Sequence, residues 1–595
     1  MTTTDPIAPA GERQYWRSLE QLENTPEFQE LLHREFPEGI SEPPQDPVSR
    51  RRFLGVVAAA VAMAGLTSCR KPVRKILPYA QRPEDTLPGI AEHYATSHVQ
   101  DGYGVGIVMK SADGRPVKVE GNRLHPMSQG GASPQMQGEV LNLYDPARTQ
   151  HPVEHGHGHD DHDHDHDHQP KTPTFADFEK FWTAHSAELK NNRGEGLAVL
   201  MAPTTSPTTL AMVAQFKKTF PRASVHTWAP VNRDDAVAGT KLAFGRAQNP
   251  RYNLQKARII VGFDSDHMEC GPAALAIARQ IAKARALKDE NDTLPRLYAV
   301  ESCYTLTGAN ADHRFRVRAH EVGDTVMALA HELQSNHGIK LGGIDLSAFA
   351  NPTWEYNGKS WIPILARDLA ENRGRSCLFV GPHQPPAVQA MVHALNAGLG
   401  NAGQTVSYSP TPEGMTGSHG ESLNQLATAM GKGEVRTLVF LGTNPVYDAP
   451  ADLQFESRLK TGRAGRGPTT TIHLGPFRDE TGSKCTWHVN QAHDLEAWGD
   501  IRAYDGTLSF IQPLIAPLYG GRSTLEMLAV LALSNTTSGY DLMRQHWQEE
   551  AAGGGNFEQW WARCLHDGVV PRSTTGTAPG SLRWSDVRNA VQQHS

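Results

Sequence analysis

The sequence predicts an α/β protein in which doubly wound lobes with parallel sheets follow a small N-terminal β region. From Gly194 onward, short apolar runs alternate with helical patterns, as expected of parallel strands that helices cover on both faces. Ahead of them lies a segment in which apolar and polar residues alternate around an Asp-Gly turn. At 595 residues the chain exceeds what one hydrophobic core usually serves, so roughly two to four lobes are expected.

The composition argues against a nucleic-acid partner and against local metal clusters. Acidic residues outnumber basic ones by 64 to 57, the formal charge is -7, and no Lys/Arg stripe stands out beyond residues 50–52. The cysteines form no C-x-x-C pair, and we interpret them as buried small hydrophobic residues. They are Cys69, Cys270, Cys303, Cys377, Cys485 and Cys564.

Residues 1–48 form a hydrophilic preface. Tyr15, Trp16, Leu19 and Leu22 recur at helical spacing, which predicts short amphipathic helices. We expect these helices to dock on a partner or to fold locally.

Residues 49–69 predict a twin-arginine export signal. Its basic residues precede the apolar run Gly55–Leu66, which is shorter than the roughly 20 residues needed to span a bilayer. Leu66–Cys69 resembles a lipobox, so Cys69 is predicted to carry a lipid anchor. The alternative is a short buried helix that begins with basic residues. The residues of the predicted signal are Ser49, Arg50, Arg51, Phe53 and Leu54.

Residues 70–150 are predicted to form the small β region. Tyr103–Val119 alternates apolar and polar residues around A-D-G-R at Ala112–Arg115, the composition of a β-hairpin. The glycine-rich Gly102–Gly106 enters a strand and does not link a strand to a helix, so we do not interpret it as a phosphate-binding loop.

Two motifs of this region resemble the molybdopterin oxidoreductase superfamily. They are V-E-G-N-R-L-H-P at Val119–Pro126 and L-Y-D-P-A-R at Leu143–Arg148. In that superfamily a cysteine lies between the motifs and three more precede the hairpin, and together they hold a four-iron cluster. This chain has Gly131–Pro134 there and no cysteine from Arg70 to Asp264. Since a serine hydroxyl is a hard, neutral donor that does not replace thiolates, we expect no cluster in this region.

Residues 151–172 contain a His/Asp-rich tract that we interpret as a low-complexity surface loop. Between His151 and His168 there are eight histidines and five aspartates, mostly in strict alternation. Such a tract lacks the fixed geometry of a catalytic site, so we expect incidental metal binding. The histidines concerned are His157, His159, His162, His164, His166 and His168.

Residues 173–535 are predicted to form the α/β lobes, and residues 536–595 a C-terminal helical segment. Ser206-Pro207 and Gly271-Pro272 are typical helix starts. The predicted buried strands are Leu197–Met201, Ala257–Gly262, Cys377–Gly381 and Leu438–Gly442.

Two groups of polar residues in the lobes resemble functional sites. Arg436–Pro445 ends in Gly-Thr-Asn-Pro, and in the superfamily this turn approaches the pterin, although Asn444-Pro445 is equally typical of a simple turn. The second group has neither a nucleophile nor metal-ligand spacing, so we predict a solvated or hydrogen-bonded loop system instead of a catalytic cluster. Its members are His488, His493, Glu496, Asp500, Arg502 and Asp505.

From Tyr15 to Val570 the chain resembles the TAT-variant-translocated molybdopterin oxidoreductases, and in particular the molybdopterin-enzyme-like half of the B subunit of alternative complex III. Glu301–Arg314 and His493–Ser523 belong to this resemblance, as does the Trp-containing preface. The resemblance implies a chain without cofactors. The implied partners are a ferredoxin-like iron–sulfur subunit, a polytopic quinol-oxidising membrane subunit and multihaem c-type cytochromes, on the periplasmic face of the bacterial cytoplasmic membrane.

The resulting expectation is a structural subunit that scaffolds a separate iron–sulfur protein, with no catalytic or cofactor-binding residue of its own. Iron–sulfur clusters and haem are expected in the partners. One competing hypothesis is an active molybdopterin-dependent oxidoreductase that binds the pterin through the Asn444 turn. Another is a lipid-anchored metal-binding protein that acts through His151–His168.

Overall fold

The computed structural model describes residues 87, 89–155, 172–287, 289, 292–350, 354–356, 358–460, 467–550 and 556–594. The preface of residues 1–48 with its predicted helices, the predicted export signal, the predicted lipidation site Cys69 and the six histidines of the His/Asp-rich tract lie outside these residues. They therefore remain sequence-based predictions.

The small β region is an antiparallel three-stranded sheet with the order β1-β2-β3. Its strands are β1 Glu92–Gln100, β2 Tyr103–Ala112 and β3 Arg115–Gly121. The predicted hairpin is β2–β3, and its turn residues Asp113 and Gly114 both have positive φ, at 50° and 75°, as a type I′ turn requires. Strand β1 was not predicted, although Asp101-Gly102 forms the same kind of turn before β2.

The glycine-rich segment of β2 serves close packing. A Cβ on Gly104 would lie 2.3 Å from Ile501, and one on Gly106 would lie 2.6 Å from His125. Both positions lie within a strand, which agrees with the interpretation that this segment is not a phosphate-binding loop. Only glycine lets the neighbouring chain approach this strand so closely.

The larger sheet has six strands in the order β4-β17-β16-β15-β5-β6. All neighbours pair in parallel except β4, which is antiparallel to β17 at the edge. The predicted strands Leu197–Met201 and Leu438–Gly442 are confirmed as β5 and β15, and β15 begins and ends one residue earlier than predicted. The strands are β4 Val153–Glu154, β5 Leu197–Met201, β6 Ser224–Thr227, β15 Thr437–Leu441, β16 Thr470–Gly475 and β17 Trp487–Asn490.

A second parallel sheet has the order β10-β9-β8-β13. The predicted strands Ala257–Gly262 and Cys377–Gly381 are confirmed as β8 and β13. The sheet therefore extends in two directions from β8, first through β9 and later in the chain through β13. Its strands are β8 Ile259–Phe263, β9 Arg296–Glu301, β10 His313–Arg316 and β13 Ser376–Val380.

Three antiparallel strand pairs lie outside these sheets. The first joins β7 Gln248–Tyr252 to β14 Val406–Pro410. The second joins β11 Glu355–Tyr356 to β12 Lys359–Ser360. The third joins β18 Gly499–Arg502 to β19 Leu508–Ile511, and it packs beside the three-stranded sheet.

Helices cover both parallel sheets, and their starts follow local capping chemistry. Ser206 caps α3 by accepting a hydrogen bond from the Thr209 amide, with Pro207 in the first turn, as predicted. The helices are α1 Pro134–Leu143, α2 Phe175–Asn191, α3 Pro207–Thr219, α4 Asp234–Phe244, α5 Ala274–Ala284, α6 Leu306–Ala309, α7 Val322–His337, α8 Ile362–Glu371, α9 Pro386–Gly398, α10 His419–Lys432, α11 Pro445–Asp448, α12 Phe455–Lys460, α13 Thr524–Leu531, α14 Gly539–Glu550, α15 Phe557–Asp567 and α16 Trp584–His594.

None of these helices, all within the described ranges, combines the length and apolarity needed to cross a bilayer.

Burial corrects one prediction about the cysteines. Cys377, Cys485 and Cys564 are buried, as expected of small hydrophobic residues, but Cys270 and Cys303 are exposed. Both exposed thiols lie in loops at the carboxyl ends of strands β8 and β9, where the chain leaves the sheet. The prediction of burial was therefore wrong for these two residues.

Candidate functional site

A cavity of about 600 Å³ lies at the carboxyl ends of β5, β15 and β16. This is where open parallel sheets usually bind ligands. Asn444, at the start of α11, lines the cavity. Its Oδ1 accepts hydrogen bonds from the amide and hydroxyl of Thr481 at 3.1 and 2.7 Å, and its Nδ2 donates to Glu480 Oε2 at 2.7 Å. The Asn444 side chain is thus committed to the fold.

The cavity wall is acidic. Four aspartates line it, and no lysine or arginine is among its lining residues. Burial raises the pKa of Asp448, Asp479 and Asp494, which shows that these carboxyls lie in an environment that disfavours negative charge. The phosphate groups of a pterin cofactor need cationic side chains or amide donors, and additional negative charge is repelled here. The side chains of this cavity therefore do not suit such a cofactor.

Asp500, the fourth aspartate, is held by donors from two distant parts of the chain. It accepts hydrogen bonds from the Ser206 and Thr208 hydroxyls, each at 2.5 Å, and from Trp547 Nε1 at 2.8 Å. The Thr208 amide also donates to it at 3.2 Å. The carboxylate thus joins the first turn of α3 to α14 and has no lone pair to spare for a substrate.

His488 pairs with His473 on the neighbouring strand. Their Nδ1 atoms are 2.8 Å apart, and His488 Nε2 lies 2.9 Å from the Thr149 hydroxyl. Burial lowers the pKa of His473 to about 4 and that of His488 to about 3. Both rings are therefore neutral at pH 7, so that one Nδ1 can donate and the other accept.

His493 and Glu496 belong to two polar clusters next to the region where the cluster cysteine is missing. In the first, Glu139 Oε1 is 2.9 Å from His493 Nε2, and Glu139 Oε2 is 3.0 Å from His98 Nδ1. Burial raises the pKa of Glu139, but the hydrogen bonds from the two histidines outweigh it and lower the pKa to about 2.

In the second cluster, Arg148 of the L-Y-D-P-A-R motif forms a bidentate ion pair with Glu496. The N–O distances are 2.7 and 3.2 Å, and the two side chains are only 3% and 1% exposed. The amides of His493 and Leu518 also donate to Glu496. Burial raises the pKa of Glu496, but the Arg148 pair and these amides lower it overall. The pair fixes the loop that follows β17.

Arg502 and Asp505, the remaining predicted residues, also make local contacts. Arg502 Nη1 donates to the Gly506 carbonyl at 3.2 Å, and Asp505 Oδ1 accepts from the Thr507 amide at 3.0 Å. Arg251 lies 3.7 Å from the other Asp505 oxygen. All six members of the predicted group therefore form hydrogen-bonded structure, but they belong to several separate clusters.

The residues between the two superfamily motifs contain no metal-binding arrangement. Ser133 accepts a hydrogen bond from the Met136 amide at 3.2 Å and so caps α1. Residues 89–155 contain no cysteine. Across the described parts of the chain, no group of three or more His, Cys, Asp or Glu side chains is placed to hold a metal ion. These residues do not fit an iron–sulfur cluster.

Sequence reasoning missed a second, smaller cavity of about 220 Å³ at the carboxyl ends of β8 and β13. Arg233, His267, His419 and Tyr504 line it together with apolar side chains. No sequence motif predicts that these residues lie together, because they come from four separate segments. The usable signal was Asp264–His267, a polar run directly after a buried strand, where ligands of parallel sheets usually lie.

These sheets and their cavities define a mixed α/β protein with a molybdopterin-oxidoreductase-like fold. The chain superposes on acetylene hydratase from Pelobacter acetylenicus with a TM-score of 0.50, covering 82% of this chain and 74% of that one at 9% identity. It is also 21% identical over 465 residues to the menaquinone reductase, molybdopterin-binding-like subunit, of Nitratidesulfovibrio vulgaris. That match covers 72% of this chain and 63% of the relative, so it spans less than two thirds of the relative's length. No family model matches the chain.

The two likenesses support a relationship with molybdopterin oxidoreductase-like proteins. The structural match supports the fold alone, because its sequence identity is low. Neither match tests the predicted export signal, the lipid anchor or the branch of the family, which remain predictions.

Proposed function

We propose that this chain is a cofactor-free structural subunit of a membrane-associated, quinol-oxidising respiratory complex similar to alternative complex III. Its role is to scaffold a separate iron–sulfur protein. The observation that carries the proposal is the chemistry of the region between the two superfamily motifs. Ser133 caps a helix there, and the described residues around it contain no thiol.

The cavity of the six-stranded sheet supports the same role. Its four carboxylates, three of them with raised pKa, disfavour a phosphorylated pterin. The polar groups that resembled a site in sequence are used to join distant segments, as in the Arg148–Glu496 pair. A subunit that binds others benefits from such fixed loops, whereas catalysis needs groups that remain available to a substrate.

The relative's name supports the quinone-linked assignment. That relative is a molybdopterin-binding-like subunit of a menaquinone reductase. We propose by analogy that this chain assembles with a ferredoxin-like iron–sulfur subunit, a polytopic membrane subunit and multihaem c-type cytochromes. We place it on the periplasmic face of the cytoplasmic membrane, held there by a lipid on Cys69 or by its partners.

The test is purification of the chain from its native membrane in mild detergent, followed by identification of its companions and by assays of iron, molybdenum and haem. Recovery with a ferredoxin-like protein, cytochromes and a polytopic subunit, without molybdenum, is the expected result. Recovery of the chain alone with stoichiometric molybdenum would show that it is an enzyme.

The membrane attachment has its own test. Mass spectrometry of the mature amino terminus should find a lipid-modified Cys69 as the first residue. An intact Met1 in the purified complex would contradict both export processing and the lipid anchor.

A further inference from the structure

The smaller cavity lies at the point where the four-stranded sheet changes direction. Strand β8 pairs with β9 on one side and with β13 on the other, and the cavity opens between the carboxyl ends of β8 and β13. Such a switch point is the usual ligand position in a doubly wound sheet. The cavity is walled by aromatic rings, among them Tyr252, Phe379 and Tyr504.

A buried histidine with an unused acceptor is among the residues that line this cavity. His267 Nδ1 is 3.1 Å from the Ser265 carbonyl oxygen, so Nδ1 carries the proton and Nε2 keeps a lone pair. The ring stacks on Phe379 with centroids 4.1 Å apart and is only 4% exposed. Its Nε2 has no hydrogen-bond partner among the described residues. A buried acceptor held this rigidly is prepared for a hydroxyl or N–H donor.

His419, the first residue of α10, has a second unpaired nitrogen. Its side chain also lines the cavity and is 6% exposed, and no hydrogen-bond partner for its Nδ1 is found among the described residues. Unpaired buried polar atoms are uncommon in folded proteins. Two of them around one cavity indicate a ligand.

The cavity also contains a hydrogen-bond donor with charge. The Arg233 guanidinium lies 5.0 Å from the Tyr504 ring centre, and Nη2 donates to the Tyr504 hydroxyl at 3.2 Å. No carboxylate of the described residues lies within ion-pair distance of Arg233, so its remaining N–H groups and the Tyr504 proton are available to an acceptor. Asp266 also lines the cavity, but its oxygens accept from Thr307 and Leu306.

The charged side chains and the volume of the smaller cavity limit which class of ligand it can bind. Asp101 shares the cavity with Arg233, which limits the affinity for a strong anion such as phosphate. A cavity of about 150 Å³ binds benzene, so 220 Å³ accommodates an aromatic ring with polar substituents. The aromatic walls favour a planar molecule.

We propose that this cavity binds a small planar phenol that also bears a carbonyl or carboxylate oxygen. The ligand hydroxyl donates to His267 Nε2, and the second oxygen accepts from Arg233 and Tyr504. This inference goes beyond the scaffold role and does not depend on it.

The probes are 4-hydroxybenzoate and benzoate, which differ only in the hydroxyl, titrated calorimetrically into the purified full-length protein. We expect 4-hydroxybenzoate to bind roughly tenfold more tightly, the effect of one well-placed hydrogen bond. His267→Phe keeps the stacking and removes the acceptor, so it should make the two affinities equal. Arg233→Gln should weaken both ligands. His566→Phe, at an exposed ring outside the cavity, is the control that should change neither.

Several results would overturn the proposal. They are no binding of 4-hydroxybenzoate at millimolar concentration, equal binding of both probes to the native chain, or discrimination that survives in His267→Phe. If His267→Phe fails to fold, the affinities of the native chain for 4-hydroxybenzoate and for benzoate still test the proposal, because equal affinities would contradict it. A crystal structure soaked with 4-hydroxybenzoate in which only water contacts His267 Nε2 would also contradict it.

Discussion

The two parallel sheets each form a cavity at the carboxyl ends of their strands, and the two cavities differ in charge and in how far their polar groups are paired. The larger one has an acidic wall without a cation, and its residues Asn444 and Asp500 are committed to internal hydrogen bonds. The smaller one contains Arg233 and two buried imidazoles with unpaired nitrogens. Equivalent positions in one fold therefore serve structure in one case and ligand binding in the other, because the fold does not determine the function.

The Arg148–Glu496 ion pair fixes the loop that borders the larger cavity, and the largest effect is expected there. Replacing Glu496 by Gln removes the charge that compensates a buried arginine, so we expect a loss of about 3–5 kcal/mol in unfolding free energy. Urea denaturation of the chain measures it. Arg563→Gln, which breaks an exposed pair with Asp567, is the matched control and should cost less than about 1 kcal/mol. Equal effects would contradict a structural role for Glu496.

Asp500 and Asp448 line the same cavity but differ in the number of side-chain donors that hold their carboxylates. Asp500→Asn replaces one acceptor oxygen with an NH₂ group that opposes the donors of Ser206, Thr208 and Trp547, and should cost about 2–3 kcal/mol. Asp448→Asn is the control on the same wall. Asp448 accepts a single side-chain hydrogen bond, from Trp228 Nε1 at 2.7 Å, among the described residues, and burial already raises its pKa, so its replacement should cost far less. Denaturation curves of both variants test this, and similar losses would contradict it.

The His473–His488 pair predicts a pH dependence. Burial lowers the folded pKa of His488 to about 3, below the ordinary value of 6.5, so the unfolded chain binds more protons between these values. Stability contributed by neutral His488 is therefore lost as the pH falls below 6.5. Urea denaturation at pH 7 and at pH 5 measures how far the unfolding free energy falls between these values. For His488→Asn this fall should be about 2 kcal/mol smaller than for the native chain. An unchanged slope of unfolding free energy against pH would contradict the buried neutral pair.

The smallest expected effect concerns Asn444. Asn444→Ala removes hydrogen bonds to Thr481 and Glu480, so it should lower the unfolding free energy by about 1 kcal/mol. The molybdenum content of the complex should not change. Loss of bound molybdenum in this variant would favour the competing hypothesis that the turn holds a pterin.

The sequence allowed most of the sheets to be predicted, because buried parallel strands are short apolar runs. Leu197–Met201 was predicted to the residue, and Ser206 was predicted as the start of its helix. Strand β1 was missed, since its alternation is weak and many of its residues are partly exposed. The Asp101-Gly102 turn was the local signal that could have identified it.

The site was less predictable, because its contacts join residues that lie far apart in sequence. Arg148 meets Glu496 and Ser206 meets Asp500, and no local pattern specifies either pair. The absence of cysteine between the two motifs was readable from the sequence. The unpaired nitrogens of His267 and His419 were not, because an imidazole is unpaired only in a particular packing.

We propose that this chain contains neither an iron–sulfur cluster nor a molybdenum centre. The most direct measurement is the metal content of the chain purified from its native membrane, with molybdenum quantified per chain and iron quantified after separation from any companion proteins. The account predicts molybdenum and iron far below one atom per chain. Molybdenum near one atom per chain, or iron retained by the separated chain, would contradict it.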